Sequence, residues 1–258
     1  AGSIAVAQMP QTITNASRAA AFEAKRTQQV APALEGVLRG GVANDDCAGA
    51  TVMTVGETCS PVSASLTGST ESLPAAACSG FTSSAAADVW FSFVATGTTT
   101  VVEATGAGDA TTGLDLVLEL FGGSCAELGS LGCVDASLRA ETESFAFATT
   151  VGTTYYYRVY NWVYTAGQDT EEFTTCVYSP TNVPANDLCT GADNQSLAVG
   201  ASITFSGDNT GALDTELLGA ATVWHSFTTT ECTNLVINYC GTNPAFGNAF
   251  TSLFTDCP

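Results

Sequence analysis

Apolar and polar residues alternate along much of the chain with a period of two. From Val89 to Val94, Val89, Phe91 and Phe93 fall on one face, and Trp90 and Ser92 on the other. A half-buried strand has this pattern. The same reading predicts strands over 98–104, 114–121, 144–149, 154–164 and 173–178, separated by clusters of Gly, Ser, Asp and Pro. Val151-Gly152-Thr153 lies between two alternating runs, as a hairpin turn would. No helical period appears in this part of the chain. The expected fold is all-β, an antiparallel β-sandwich of jelly-roll type.

Residues 1–42 read differently. Ile4-Ala5-Val6-Ala7 and Thr12-Ile13-Thr14 alternate like strand, whereas 15–38 is rich in Ala, Gln, Glu and Arg. That stretch predicts a helix capped by Asn15 or Ser17 and ending near Val30, because Pro32 disfavours helix before it. We read 1–42 as an N-terminal arm. Ala5-Val6-Ala7 before Gln8 also has the small-residue pattern of a signal-peptide cleavage site.

An internal repeat organises the remainder. Ala43-Asn44-Asp45-Asp46-Cys47 recurs as Ala185-Asn186-Asp187-Leu188-Cys189, and Val89-Trp90-Phe91-Ser92-Phe93 as Val223-Trp224-His225-Ser226-Phe227. Leu120-Phe121 with Cys125 recurs as Leu253-Phe254 with Cys257. The offsets are 142, 134 and 133 residues, in unchanged order. Two copies of one module are expected, over 43–180 and 185–258. The second stops after its Leu-Phe and Cys anchor, so it is expected to lack counterparts of the strands over 144–178. A sandwich without those strands would expose an unpaired edge.

Charge narrows the partners. The net charge is −19, yet residues 1–42 hold four basic residues against two acids. That stretch is +2 and the rest of the chain −21, which disfavours nucleic acid and anionic membranes as partners. No apolar run reaches the roughly 18 residues of a membrane span. Ten cysteines without a Cys-x-x-Cys pair, beside a single His, point to an oxidising compartment and away from zinc. The six cysteines of the first copy admit many connectivities. The pairs preferred here are Cys59 with Cys78, Cys125 with Cys133 and Cys47 with Cys176, plus Cys232 with Cys240 in the second copy.

Ala-Asn-Asp-x-Cys, the Val-Trp-aromatic-Ser-Phe strand, Leu-Phe closely followed by Cys, and Val151-Gly152-Thr153-Thr154-Tyr155-Tyr156-Tyr157-Arg158-Val159-Tyr160 together form a distinctive series. It resembles modules repeated in large secreted surface proteins of Bacteroidetes-type bacteria, relatives of the bacterial pre-peptidase C-terminal domain. The resemblance implies a β-sandwich at the cell surface and a non-catalytic accessory role.

Candidate chemistry is sparse. His225 occupies the slot of Phe91 in the first copy, and the chain has no Gly-x-Ser-x-Gly elbow, so a serine-hydrolase triad has no support. Glu141 and Glu143, or Asp109 and Asp115, are carboxylate pairs of a kind common in an acidic chain. Asp45, Asp46, Asp109 and Asp115 are candidate calcium ligands, without EF-hand spacing; no other cofactor is expected. Tyr156, Arg158, Tyr160 and Trp162 share one face of a predicted strand and form a candidate exposed aromatic platform. The expected function is an extracellular structural protein, not an enzyme, that forms a filament with other copies of itself. Ile4, Val6 and Ile13 would supply the contact strand. The alternative is an adhesin module for surface glycans or proteins.

Overall fold

A computed structural model describes residues 23–24, 42–78, 81–82, 87–162, 171–207, 209, 211–213, 222–239, 241 and 251–257. Ile4, Val6, Ile13, Tyr164 and Cys240 lie outside these residues, as does the predicted helix apart from Glu23 and Ala24, which are helical.

The first copy is a two-layer sandwich. One sheet has the order β1 (Thr51–Val52), β5 (Asp88–Val94), β10 (Thr154–Asn161), β7 (Leu116–Ser124) and β8 (Glu127–Val134). The other has the order β2 (Val62–Ser65), β11 (Glu172–Tyr178), β6 (Thr99–Gly106) and β9 (Thr142–Ala148). A short ribbon joins β3 (Ala77–Cys78) to β4 (Phe81–Thr82). The inward faces of both sheets carry the alternating apolar residues. Phe91 stacks on Tyr157 at 4.9 Å and meets Phe173 edge-on at 6.2 Å. Leu116, Leu118, Leu120 and Val159 complete the layer and are fully buried. Each such side chain is worth about 1.5–3 kcal/mol of burial.

The predicted strands are present with shifted ends, and two expectations need correction. Pairing is not wholly antiparallel, because β1 runs parallel to β5, with Thr51 opposite Phe91. Val151-Gly152-Thr153 is a turn, with Gly152 at φ +83, but not a hairpin. It connects β9 to β10 across the two sheets; Gly152 N donates to Ala95 O and Thr153 O accepts from Ala95 N, and no two-strand ladder is closed. Strand β8 was not foreseen; its partly exposed, Gly- and Ser-bearing sequence gives little alternation.

The disulfides also differ from expectation. Cys47 joins Cys125, Cys59 joins Cys176, and Cys78 joins Cys133. None of the three pairs preferred from sequence forms, because bridging needs Cα atoms within about 7 Å and strand order, not chain order, sets that. Cys78 is held on the ribbon against β8, where Cys133 lies. Cys232 is an exposed free thiol, contrary to its expected bridge.

Beyond Pro184 the described chain forms a smaller unit, with β12 (Asp193–Leu197) parallel to β13 (His225–Thr229). Its contacts reproduce those around Trp90. Asn44 donates through Nδ2 to the Trp90 carbonyl at 3.2 Å and accepts from Trp90 N at 2.8 Å. Asn186 does the same with Trp224, at 2.9 and 2.7 Å. Trp90 packs on Phe121 with centroids 5.1 Å apart, and Trp224 on Phe254 at 5.4 Å. Cys189 bridges Cys257 as Cys47 bridges Cys125. Each first cysteine starts a 3-10 turn ending in Gly49 or Gly191. A Cβ on either glycine would run into the carbonyl of Ala43 or Ala185, so only glycine fits.

Candidate functional site

The face proposed as an aromatic platform is covered. Tyr160 and Arg158 are fully buried, Trp162 is nearly so, and Tyr156 is half-buried. The segment from Ser72 to Cys78 lies over them. Arg158 donates through Nη1 to Leu73 O and through Nη2 to Pro74 O, both at 2.6 Å. Ala76 N bonds the Tyr160 hydroxyl at 3.3 Å. On its own sheet Arg158 pairs with Asp88 and Glu119, each at 2.7 Å, and its guanidinium lies 4.9 Å from the Tyr160 ring centroid. Trp90 Nε1 donates to Ser72 Oγ, which in turn donates to Asp88. Burial pushes the Asp88 carboxyl up, and its bonds to Arg158 and Ser72 counter part of that. At Arg158 burial acts to lower the pKa, but Asp88 and Glu119 outweigh it and keep the guanidinium charged. The sequence was misleading here because a covering loop of Leu, Pro and Ala has no periodic signature.

The candidate calcium ligands are dispersed. Asp45 accepts from Thr70 N and Thr70 Oγ1 at 2.6 and 2.8 Å, and Asp46 is exposed. Asp109 accepts from the backbone and hydroxyl groups of Thr111 and Thr112, which hold its carboxyl well below the usual range. Asp115 is buried at the mouth of β7, where its backbone bonds Asn161 and Trp162. Among the described residues no three of these carboxylates share a shell. The one group of ligand-type atoms among the described residues is Cys59, Cys176 and Glu103, and its two sulfurs are bridged to each other. A bridged sulfur is not a thiolate ligand.

The other carboxylates shape loops. Glu143 accepts from Ala136 N, Ser137 N and the Ser137 hydroxyl, and Glu141 accepts from Leu138 N. His225 sits on β13, stacked on Phe205 with centroids 4.4 Å apart. Burial lowers its pKa, and Asp193 opposes that shift.

Two surface features remain. A shallow groove of about 530 Å³ is lined by Gly56, Glu57, Thr96, Thr98, Ser179 and Thr181 among others. A smaller recess of about 270 Å³ shares Thr98 and Thr99 and continues along 183–191. The Thr96-Gly97-Thr98-Thr99 run is the sequence signal for this groove, but it reads as an ordinary turn. The second feature is the open side of the smaller unit. Among the described residues β13 pairs only with β12. Val236 is 88% exposed, and Ile237, Leu253 and Phe254 are exposed as well.

Residues 43–175, just over half of the chain, match the model of a T9SS-associated family described as galactose-binding domain-like. That match covers the first sandwich from its Ala-Asn-Asp-x-Cys anchor into β11. It supports a secreted β-domain of Bacteroidetes type and does not bear on the pre-peptidase C-terminal likeness. No curated protein matches the chain.

Proposed function

Since the chain belongs to the T9SS-associated, galactose-binding-domain-like family, we propose that it is a non-catalytic structural and adhesive module that joins other copies through its smaller unit. The protein is extracellular or held at the cell surface, in keeping with this family and with the four disulfides among its described residues. No described helix is long and apolar enough to cross a membrane.

The observation that carries the reading is the contrast within the chain. The first copy, a sandwich braced by three disulfides, uses its buried charges and aromatic face internally. In the smaller unit β13 pairs only with β12 among the described residues, and Val236, Ile237 and Phe254 are exposed. Association through β13 runs head to tail and need not close, so it extends into a filament. Electron microscopy of native material, with intact mass under non-reducing conditions, tests this. Regular filaments of the chain are the expected result. Isolated particles at high concentration would defeat it.

The family match favours a second reading, a glycan-binding adhesin. Tyr160 and Trp162 cannot serve as its platform, being buried, so the groove beside Glu57 and Thr98 is the better location. Its hydroxyl and backbone groups suit a polar saccharide. Glycan-array binding that is lost on Glu57→Ala or Thr98→Ala would establish it.

A further inference from the structure

We propose that the groove and the recess beside it form one channel for a linear, uncharged saccharide, held jointly by the first sandwich and the smaller unit. This rests on the glycan-binding reading above and adds to it the class of ligand and a second wall.

The two cavities are continuous. Thr98, Thr99 and Val183 line both. From that overlap the groove reaches Gly56 and Glu57, and the recess reaches Asp187, Leu188 and Thr190. The groove alone, at about 530 Å³, has the volume of a ligand site, and the recess lengthens it. The family match ends at residue 175, so 179–191 form a wall that the matched domain lacks. Hydrogen bonds beneath the overlap fix its shape. Thr100 Oγ1 lies 3.0 Å from Thr149 Oγ1 and 3.1 Å from Ser179 Oγ, and Thr149 Oγ1 donates to Gly97 O at 2.8 Å. A Cβ on Gly97 would stand 3.0 Å from Ser179 Cβ, so the walls approach as closely as glycine permits. Pro180 and Pro184 fix φ in the connecting segment. A site held this way loses little contact energy to ordering when it binds.

The lining selects the ligand. Thr96, Thr98, Thr181 and Thr190 expose hydroxyls, and Val183, Pro184 and Leu188 are half-buried apolar surface. A sugar ring presents the matching mixture, with hydroxyls around its edge and C–H groups on its faces. Glu57 and Asp187 are the charged groups among the described lining residues, and both are acids. Neither Arg139 nor Arg158 lines the channel: Arg158 is bound by Asp88 and Glu119, and Arg139 donates to Gly113 O. An anionic glycan would therefore meet two carboxylates and no described cation, whereas an uncharged one donates its hydroxyls to them. The described lining holds no aromatic ring, so each sugar unit is held weakly and affinity grows with chain length.

The test titrates the full chain with neutral galactan and glucan di-, tetra- and hexasaccharides, and with oligogalacturonates of the same lengths, by calorimetry. Thr98→Trp, in the overlap, should remove binding at every length. Thr190→Trp, in the recess alone, should weaken the hexasaccharide about tenfold and the disaccharide much less. Oligogalacturonates should not bind the parent and should bind Glu57→Lys. Far-ultraviolet circular dichroism checks each variant, and Thr190→Ala, which only removes a hydroxyl, reads the same length dependence if Thr190→Trp disturbs the fold. Affinities unchanged by both Thr190 variants would confine the saccharide to the groove and overturn the two-walled channel, leaving the glycan-binding reading in place. An equal loss at every length would put the saccharide in the recess and overturn the channel as well. Oligogalacturonates that bind the parent as well as the neutral chains do would overturn the ligand class. No binding of any saccharide would overturn both this proposal and the reading it rests on.

Discussion

β5 and β13 begin from nearly the same five residues and end in different surroundings. Val89-Trp90-Phe91-Ser92-Phe93 lies between two strands under a second sheet, with every residue buried. Val223-Trp224-His225-Ser226-Phe227 has one strand neighbour among the described residues and is only half-buried. The contrast extends to their counterparts. Leu120 and Phe121 are 1% and 4% exposed, but Leu253 and Phe254 are 38% and 45%. Val102 is 1% exposed, and Val236, at the same offset of 134, is 88%. The local anchors are nonetheless alike: the Asn-to-Trp bonds, the ring pair, the 3-10 turn and the disulfide made by its first cysteine recur. Short-range sequence thus fixes how each copy starts. Whether a core forms on that start depends on the strands that pack against it, as β10 and the second sheet do on β5.

The comparison can be broken most severely at Arg158, which belongs to a strand with no counterpart among the described residues. Arg158→Ala leaves Asp88 and Glu119 buried and unpaired, a loss of about 3–5 kcal/mol. Urea unfolding should show the sandwich transition shifted far down, with any separate transition of the smaller unit unmoved. An unshifted midpoint would mean that the two carboxylates find water or other donors.

A matched pair comes next. Leu120→Ala removes a buried side chain and should cost about 2–5 kcal/mol. Leu253→Ala removes a half-exposed one and should change stability by about 0.5 kcal/mol or less in the isolated chain. If both cost the same, the smaller unit has a packed core in solution and its open face is already covered.

Asn44 and Asn186 sharpen the likeness instead of the difference. Each donates to a Trp carbonyl, and Asn→Ala at either should cost about 0.5–1.5 kcal/mol. Amide hydrogen exchange near Trp90 and Trp224 would report the two losses separately, and they are expected to be similar.

This division explains what was legible beforehand. The strands around Val89, Phe173 and Tyr157 were readable because alternation is a local property. The recurring anchor residues were readable because they keep their order along the chain. The disulfides were not, because Cys59 and Cys176 meet only once β2 is placed beside β11. One signal was available all the same: Cys47 and Cys125 have counterparts in Cys189 and Cys257, so pairing within the repeated set was implied. The aromatic face was misassigned because nothing in Leu73-Pro74-Ala75-Ala76 announces that it covers Arg158 and Tyr160. The acidic residues were misleading for a related reason. Asp45 and Asp109 look like ligands in a list, but in the fold Asp109 binds N–H groups of its own loop and Asp45 binds Thr70, 25 residues away.

The smallest effect belongs to His225, which stands where β5 has Phe91. Burial lowers its pKa below the ordinary 6.5, with Asp193 pulling the other way, so the folded smaller unit favours the neutral ring. The unfolded chain takes up a proton more readily than the folded one. The contribution of the neutral ring is therefore complete above the unfolded pKa and is lost as the pH falls through the folded value. Acidifying from about pH 8 to about pH 5 should loosen the smaller unit. His225→Phe, which restores the residue type of β5, should remove that dependence. Fluorescence of the neighbouring Trp224, isolated by replacing Trp162 with Phe and subtracting the buried Trp90 signal, would follow it. If the pH response survives His225→Phe, it comes from the acidic residues of the unit, and the difference between the two strands lies in their pairing alone.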